Sequence, residues 1–257
     1  YIPDTFEKEF INEPFDGGFN IEYVNGMDNK PLDYIINQTM MRIDMPKPLK
    51  TGESFSFKIK WWYNINYRLG DGGRSGYETF PNDDNRAYTI AQFFPRMCVY
   101  DEVEGWQNYQ FWGDGEFALP FGNYEVNITV PADHIMEATG ELINRKEVYS
   151  KEMMKRYNKA KKTFNEPVII VNQDEAELAE KSFSKDKKTW KFVAENVRDF
   201  AFATSRKYLL DMMSVKIGDK DVMAVSLYPK EGNPLCCLLY TSPSPRDQRG
   251  SRVEGWA

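Results

Sequence analysis

Apolar and polar residues alternate along the first quarter of the chain. From Asn20 to Asn66, the segments FNIEYVNG, LDYIINQTMMRIDM and ESFSFKIKWWYNIN show this period of two. Turn signals occur at Asn25-Gly26, Pro46 to Pro48 and Thr51-Gly52. Because successive side chains of a strand point to opposite faces, the pattern predicts half-buried antiparallel strands.

The alternation returns between Glu116 and Val130. Here Phe117 and Leu119, and then every second residue from Tyr124, are apolar, which predicts buried faces around a turn at Gly122-Asn123. The preceding glycine-rich loop, LGDGGRSG, lacks the GxxxxGK[ST] pattern of a phosphate-binding loop and is predicted to be a surface turn.

Helical spacing appears twice in the second half of the chain. Lys146 to Lys162 places apolar residues on one side and lysines on the other, which predicts an amphipathic surface helix, and Asp174 to Lys181 predicts a short helix. Strands are predicted at Thr189 to Val193 and Phe200 to Ala203, and a hairpin at Ser205 to Pro229 that turns near Gly218. The predicted fold class is therefore mainly β, with one or two short helices.

Composition narrows the classes of partner. With 257 residues, of which 41% are hydrophobic and 15% aromatic, the chain is long enough to bury a core. A net charge of -6 disfavours nucleic acid as a partner. The lysine-rich face of Lys146 to Lys162 is predicted to be solvated, since Glu147 and Glu152 dilute its charge. No apolar run approaches the roughly 20 residues of a membrane span.

The cysteines and the last residues carry little functional information. Cys98 has no nearby cysteine partner, so a buried, inert thiol is predicted rather than a disulfide framework or zinc pattern. Residues 235–257 include LLYTSPSPRDQRGSRVEGWA, which shows no helix or strand period and follows an abrupt CCLL. This segment is interpreted as a non-native, adapter-like or vector-like tail; the alternative is a natural disordered tail.

The sequence lacks the motifs of common zinc and serine hydrolases, and it offers one acidic pair of the glycosidase kind. His134 is the single histidine and has no HExxH context, so no metal site is predicted in this chain. Ser75 lacks the GxSxG spacing of a nucleophile elbow. Asp101 and Glu102 leave a glycosidase pair open, although solvent exposure beside a turn is the simpler interpretation.

Three ordered segments resemble a known enzyme family. They are AQFFPRMCVYDEVEGWQ, NITVPADHIMEATGEL, and ENVRDFAFATSRKY followed by VSLYPKEGNP. These segments are similar to the N-terminal β-domain of bacterial aminopeptidase N-type (gluzincin) zinc metallopeptidases, and the resemblance extends from about Phe19 to Pro234. It implies a saddle-like antiparallel β-sandwich over residues 1–204 and the first strands of a thermolysin-like catalytic domain over residues 205–234.

The resemblance also implies a function and one site residue. The parent protein would be a zinc aminopeptidase acting on peptide substrates, whereas this chain would end before the zinc motif and be inactive alone. Gln92 matches a family position that contacts the free amine of the peptide. The second such position, usually Glu or Gln, is Phe94 here. Analogy with exported relatives suggests a periplasmic or cell-surface location, and no sequence feature indicates an oligomeric state.

A different class of function stays open. The chain could instead be a stand-alone β-sandwich module that binds peptide or carbohydrate through exposed aromatic rings. The candidate rings are Trp61, Trp62, Trp106 and Trp112. Aromatic residues in alternating strands usually face inward, so we expect most of these rings in the core. A stand-alone domain is also not expected to end with an unpartnered strand at Val222 to Tyr228.

Overall fold

The computed structural model describes residues 16–71, 73, 75–110 and 118–232. The predictions for Trp112, Phe117 and the segment 235–257 concern residues outside these ranges. The described residues form sixteen strands: β1 Asn20–Gly26, β2 Tyr34–Asn37, β3 Met40–Ile43, β4 Phe57–Trp62, β5 Gly76–Phe80, β6 Asn85–Ala91, β7 Tyr100–Asp101, β8 Gly105–Trp106, β9 Gly122–Pro131, β10 Ile135–Ala138, β11 Glu141–Leu142, β12 Val168–Val171, β13 Lys187–Val197, β14 Ala201–Ser205, β15 Tyr208–Ile217 and β16 Lys220–Pro229.

Four short helices accompany the strands in the described part of the chain. They are α1 Arg68–Asp71, α2 Arg145–Val148, α3 Lys151–Ala160 and α4 Gln173–Glu180, and a 3₁₀ turn follows at Lys230–Gly232. Antiparallel pairing joins β1 with β4, β2 with β3, β7 with β8, β10 with β14, β11 with β13, and β15 with both β12 and β16. The prediction of a mainly β, antiparallel fold is confirmed.

The chain divides into two compact units. Unit 1 contains the described residues within Tyr1–Glu78, Thr89–Asn123 and Asn196–Ala201, and unit 2 contains those within Thr79–Tyr88, Tyr124–Glu195 and Phe202–Ala257. The domain boundary near residue 204, which the family resemblance implies, stays a prediction.

Unit 1 is built from short antiparallel ladders. The pairing of β1 with β4 shifts register between Ile21 and Tyr23, and β2 and β3 form a hairpin whose two-residue turn is Gln38-Thr39. The segment LDYIINQTMMRIDM is therefore two strands rather than one. Val24, Ile90 and Phe200 are almost completely buried in this unit.

Unit 2 contains two three-stranded sheets, of order β11-β13-β9 and β12-β15-β16. Trp190 and Phe192 on β13 and Leu210 on β15 are fully buried. The predicted terminal hairpin is confirmed as β15 and β16, with Ile217 opposite Lys220. Gly218 opens its turn at φ 60°, a conformation that favours glycine.

The long amphipathic helix predicted at Lys146 to Lys162 is two helices. Tyr149, between α2 and α3, has an extended backbone, and the Ser150 hydroxyl accepts a hydrogen bond from the Met153 amide. A serine in this position is a strong helix start signal and divides the periodic segment. The short helix predicted at Asp174 to Lys181 is confirmed as α4, which begins with a capping box between Asn172 and Glu175.

Three further predictions are corrected. β9 begins at Gly122, so the turn predicted at Gly122-Asn123 is wrong, although the predicted alternation from Tyr124 to Val130 is present. Cys98 is half-buried, with its sulfur 3.9 Å from the Met40 sulfur, rather than fully buried. Trp62 and Trp106 are 50% and 54% exposed, so the core placement expected for most of the tryptophans is wrong for these two.

Candidate functional site

Gln92, the predicted peptide contact, lies directly after β6 in unit 1. Its side chain is exposed, and no hydrogen bond of this side chain is present among the described residues. Its backbone φ is 54°, in the left-handed region. This conformation costs a residue other than glycine on the order of 1–3 kcal/mol. The structure therefore presents an available amide on a strained backbone at the end of a strand.

Side chains from two other parts of unit 1 hold the backbone on both sides of Gln92. Before it, the Ser75 hydroxyl accepts a hydrogen bond from the Ala91 amide at 3.0 Å and lies 3.2 Å from the Ala91 carbonyl oxygen. After it, the Trp61 indole N–H donates to the Phe93 carbonyl oxygen at 3.1 Å. The main chain is thus fixed at the residues that immediately flank Gln92.

The position two residues beyond Gln92 is apolar. Phe94 is half-buried and its ring lies under the Arg96 guanidinium, 5.5 Å from the ring centroid. Arg96 also pairs with Asp199, with Nη1 2.7 Å from Oδ1. The Phe94 side chain has no acceptor for an ammonium group, so of the two positions that the resemblance singled out, only Gln92 carries one.

His134 lies in unit 2 and its surroundings do not fit a zinc site. The imidazole is 4% exposed, and Nδ1 lies 3.1 Å from Thr204 Oγ1, which also donates to the Ile135 carbonyl oxygen. Burial, together with the nearby Arg206 cation, lowers the pKa of His134 to about 4. Among the described residues, no group of three or more His, Cys, Asp and Glu side chains could hold a metal ion. The ring is therefore a neutral, hydrogen-bonded part of the interior.

Asp101, half of the acidic pair that the sequence left open, has a structural role in unit 1. Its Oδ1 accepts hydrogen bonds from the amides of Val103 and Glu104, at 2.9 and 2.7 Å, within the β7–β8 turn. The Glu104 amide and then the Gln107 side chain lower the pKa of Asp101, because these hydrogen bonds favour the charged form. This half-buried carboxylate closes the turn beside which the sequence interpretation placed an exposed side chain.

A buried ionic cluster in unit 2 was not found from the sequence. The Lys207 side chain is fully buried, and its ammonium contacts the carboxylates of Asp83, Glu180 and Glu231. The Glu231 and Glu180 oxygens lie 2.9 and 3.2 Å from Nζ, and the Phe80 ring centroid lies at 4.6 Å. The three carboxylates lie around the ammonium group, so a lone buried charge is avoided.

The charge balance of this cluster is visible in its pKa shifts. Burial alone would lower the pKa of Lys207, but the surrounding carboxylates outweigh burial and raise it. Burial likewise opposes ionisation of Asp83, yet its hydrogen bonds with Lys207 and Asn85 bring the net pKa below the usual value. A charged residue inside the β-rich sequence FAFATSRKYLLDMM was the available sequence signal for this cluster.

Glu137 on β10 is a second titratable group of unit 2 that the sequence did not single out. The Tyr149 hydroxyl donates to Glu137 Oε1 at 3.0 Å. Burial raises the pKa of Glu137 to about 7, although the Arg145 cation and the Tyr149 hydrogen bond act in the opposite direction. Near neutral pH this carboxyl group is thus partly protonated.

Among known proteins, the chain is similar to one solved structure. No family model matches the chain, and no curated protein matches it. One solved structure, a mutant of a two-domain M1 zinc metallopeptidase bound to L-tryptophan, aligns with 83% of this chain at 13% identity and a TM-score of 0.44. The chain covers 38% of the length of that structure. At this identity and TM-score the match assigns neither a family nor a function. No helix among the described residues is long and apolar enough to cross a membrane.

Proposed function

We propose that this chain is the non-catalytic N-terminal β-domain, with the first strands of the catalytic domain, of a zinc aminopeptidase that removes N-terminal residues from peptides. Three ordered sequence segments that resemble bacterial aminopeptidase N support the proposal. The observation that carries it is the state of Gln92: its exposed side chain makes no hydrogen bond within the described part of the chain, and its backbone is strained. Strained backbone at an exposed polar residue is typical of binding sites.

In this proposal Gln92 recognises the unblocked end of the substrate. The amide oxygen of Gln92 accepts a hydrogen bond from the peptide ammonium group, a charge-assisted contact that a blocked N-terminus cannot make. Fixing the ammonium group also fixes its distance from the first peptide bond. Phe94 offers no second acceptor, so the acidic contact with the amine is assigned to the Gly-x-Met-Glu-Asn strand of the parent's catalytic domain.

Zinc is proposed for the parent protein alone. The single histidine of this chain is buried against Thr204, which does not fit a ligand of a catalytic zinc. The metal supplies an activated water for peptide hydrolysis, and its ligands are expected in the part of the parent that follows Pro234.

The native gene provides the test. Read across the codons after Pro234, it is expected to encode a GxMEN motif followed by HExxH, and the isolated 257-residue chain is expected to bind no stoichiometric zinc and to release no N-terminal residues. Stoichiometric zinc together with turnover by the isolated chain would contradict the proposal. A native stop codon in place of these motifs would contradict it as well.

Exposed aromatic rings favour a second candidate, a stand-alone module that binds peptide or carbohydrate. Tyr100 and Trp106 face each other across β7 and β8 with ring centroids 5.2 Å apart, and they are 64% and 54% exposed. Exposed rings of this kind stack on apolar faces of ligands. Titration of the chain with oligosaccharides and peptides, followed by tryptophan fluorescence, tests this candidate, with Trp106→Ala as the loss-of-binding variant.

A further inference from the structure

The conformation of Gln92 needs an external cause. Residues with positive φ other than glycine are mostly Asn and Asp, whose short side chains tolerate the left-handed region, and Asn29 and Asn196 are of this kind. Gln38, at φ 53°, lies in the two-residue turn between β2 and β3, where hairpin closure imposes the backbone geometry. Gln92, at φ 54°, has neither explanation, since it follows β6 outside a hairpin turn.

Ser75 provides the first constraint. Its hydroxyl accepts from the Ala91 amide at 3.0 Å and lies 3.2 and 3.3 Å from the carbonyl oxygens of Ala91 and Thr89. A hydroxyl can accept one of these hydrogen bonds while donating another, so it fixes the end of β6.

The position of Ser75 is itself fixed by the glycine that follows it. Gly76 has φ 143°, and a Cβ atom at Gly76 would lie 2.5 Å from the Asn66 carbonyl oxygen. Only glycine permits this close approach of two backbone segments, so the start of β5, and Ser75 with it, stays at a defined place in unit 1.

Trp61 provides the second constraint, on the other side of Gln92. Its indole N–H donates to the Phe93 carbonyl oxygen at 3.1 Å. The Phe93 ring packs edge to face against the fully buried Phe200, with centroids 6.5 Å apart. Since the main chain is fixed at both neighbours, the change of direction between them falls on Gln92.

We infer that Ser75 and Trp61 are positioning residues that hold Gln92 in the left-handed conformation and thereby present its amide to the peptide ammonium group. The second half of this statement rests on the proposed function, whereas the first half concerns the chain alone. The two side chains contact the backbone that flanks Gln92, so they act through Gln92.

A thermodynamic cycle tests the conformational half. Gln92→Gly is measured by urea unfolding in the wild-type chain and in the Trp61→Phe and Ser75→Ala backgrounds. Glycine relieves left-handed strain, and its effect on the unfolded state is the same in each background and cancels in the comparison. We expect Gln92→Gly to raise the folding equilibrium constant by a factor that is at least about threefold larger in wild type than in either background. In the Trp61→Phe and Ser75→Ala backgrounds, residue 92 has already relaxed because one constraint is gone, so glycine has less strain to relieve.

Gln38→Gly is the matched control, since Gln38 is the same residue type at nearly the same φ. Its effect is expected to be equal in wild type and in both backgrounds, because the hydrogen bonds of the Trp61 and Ser75 side chains go to Phe93, Ala91 and Thr89 and not to Gln38. Equal effects of Gln92→Gly in all backgrounds would overturn the inference.

NMR provides a readout that does not depend on global stability. In glutamine-labelled protein, the Cα shift and the amide coupling constant of residue 92 are expected to report a left-handed backbone in wild type and to change in Trp61→Phe and Ser75→Ala. The signals of Gln38 are expected to stay constant. Unchanged signals of residue 92 in both variants would overturn the inference.

The two halves fail separately. If the product of the complete native gene hydrolyses peptides and Trp61→Phe raises its KM for unblocked peptides as Gln92→Ala does, both halves stand. If the thermodynamic cycle and the NMR signals show the expected changes but neither Trp61→Phe nor Gln92→Ala changes KM, the proposed contact with substrate is wrong. The conformational role of Trp61 and Ser75 then still holds.

Discussion

The Gln92 segment of unit 1 and the Lys207 cluster of unit 2 show opposite uses of polar side chains. Lys207 is fully buried, and its ammonium group forms ion pairs with three carboxylates. Gln92 is exposed, has a strained backbone, and leaves its amide without an internal partner among the described residues. In the Lys207 cluster, polar side chains join separate elements of the fold. In the Gln92 segment, the backbone is held in place and the polar side chain is left exposed.

The difference indicates where to look for function in a chain that lacks a catalytic constellation. In the Lys207 cluster the charges balance one another, and removal of one member would leave the others uncompensated, which is a structural role. An exposed polar residue on a costly backbone contributes nothing to stability by that conformation and is a better candidate for a binding contact.

The largest expected effect comes from breaking the buried cluster. Lys207→Met removes the shared cation from the carboxylates of Asp83, Glu180 and Glu231, although Glu180 keeps Lys230 at 2.8 Å. We expect a loss of about 3–5 kcal/mol in the free energy of unfolding at pH 7. The loss is expected to shrink at pH 4, because protonation of the carboxylates relieves their repulsion. Urea unfolding at the two pH values provides the measurement.

Lys216→Met is the control for this change. Lys216 pairs with Asp221 at 3.6 Å, but both side chains are more than half exposed, and such pairs contribute at most about 1 kcal/mol. Equal effects of Lys207→Met and Lys216→Met would contradict the structural role of the cluster.

Glu137, a half-buried carboxyl group that accepts a hydrogen bond from Tyr149, is expected to behave differently from Lys207. The pKa of Glu137 is raised to about 7 from an ordinary value of 4.5, so its contribution to stability is complete below pH 4.5 and is lost as the pH rises to 7. Glu137→Gln keeps an acceptor for the Tyr149 hydroxyl and removes this penalty. We expect stabilisation of up to about 3 kcal/mol at pH 8 and no change at pH 4.

Unfolding curves of the Glu137→Gln variant between pH 4 and pH 9 test this expectation. Glu141→Gln, an exposed change on β11, serves as the control and is expected to alter stability by less than about 0.5 kcal/mol throughout. A variant that is destabilised at pH 8 would show that the ionised Glu137 carboxylate stabilises the fold.

The smallest expected effect on stability is at Gln92 itself. Gln92→Ala removes an exposed side chain, and alanine tolerates the left-handed backbone no better than glutamine, so the free energy of unfolding should change by less than about 0.5 kcal/mol. Gln38→Ala provides a comparison at the same φ. A loss above about 1 kcal/mol at Gln92 alone would identify a structural rather than a presenting role.

Period and turn chemistry predicted the fold class and several elements. Alternation predicted β4 and β9, and a glycine between two alternating runs predicted the β15–β16 hairpin. The same reasoning predicted one helix across Tyr149, because the helical spacing of apolar residues continues through this position. In the structure Tyr149 is extended, and Ser150 caps the start of the next helix. A weak turn signal also placed a turn at Gly122, where β9 begins.

The candidate site was predicted only in part. The resemblance pointed to Gln92, but its left-handed backbone depends on Ser75 and Trp61, which come from other segments and carry no local signal for that contact. The partners of Lys207 are also distant in sequence, since Asp83 precedes it by more than one hundred residues. Contacts between remote segments are fixed by the packing of the whole unit, which a single sequence does not display.

The peptidase activity of the complete native gene product tests the central claim most directly. The account predicts that Gln92→Ala lowers kcat/KM for an unblocked peptide by about tenfold or more, as expected for loss of a hydrogen bond to a charged group, while Gln38→Ala leaves it unchanged. Equal kcat/KM values for the two variants, or no peptidase activity in the complete protein, would contradict the assignment of Gln92 as the contact for the peptide amine.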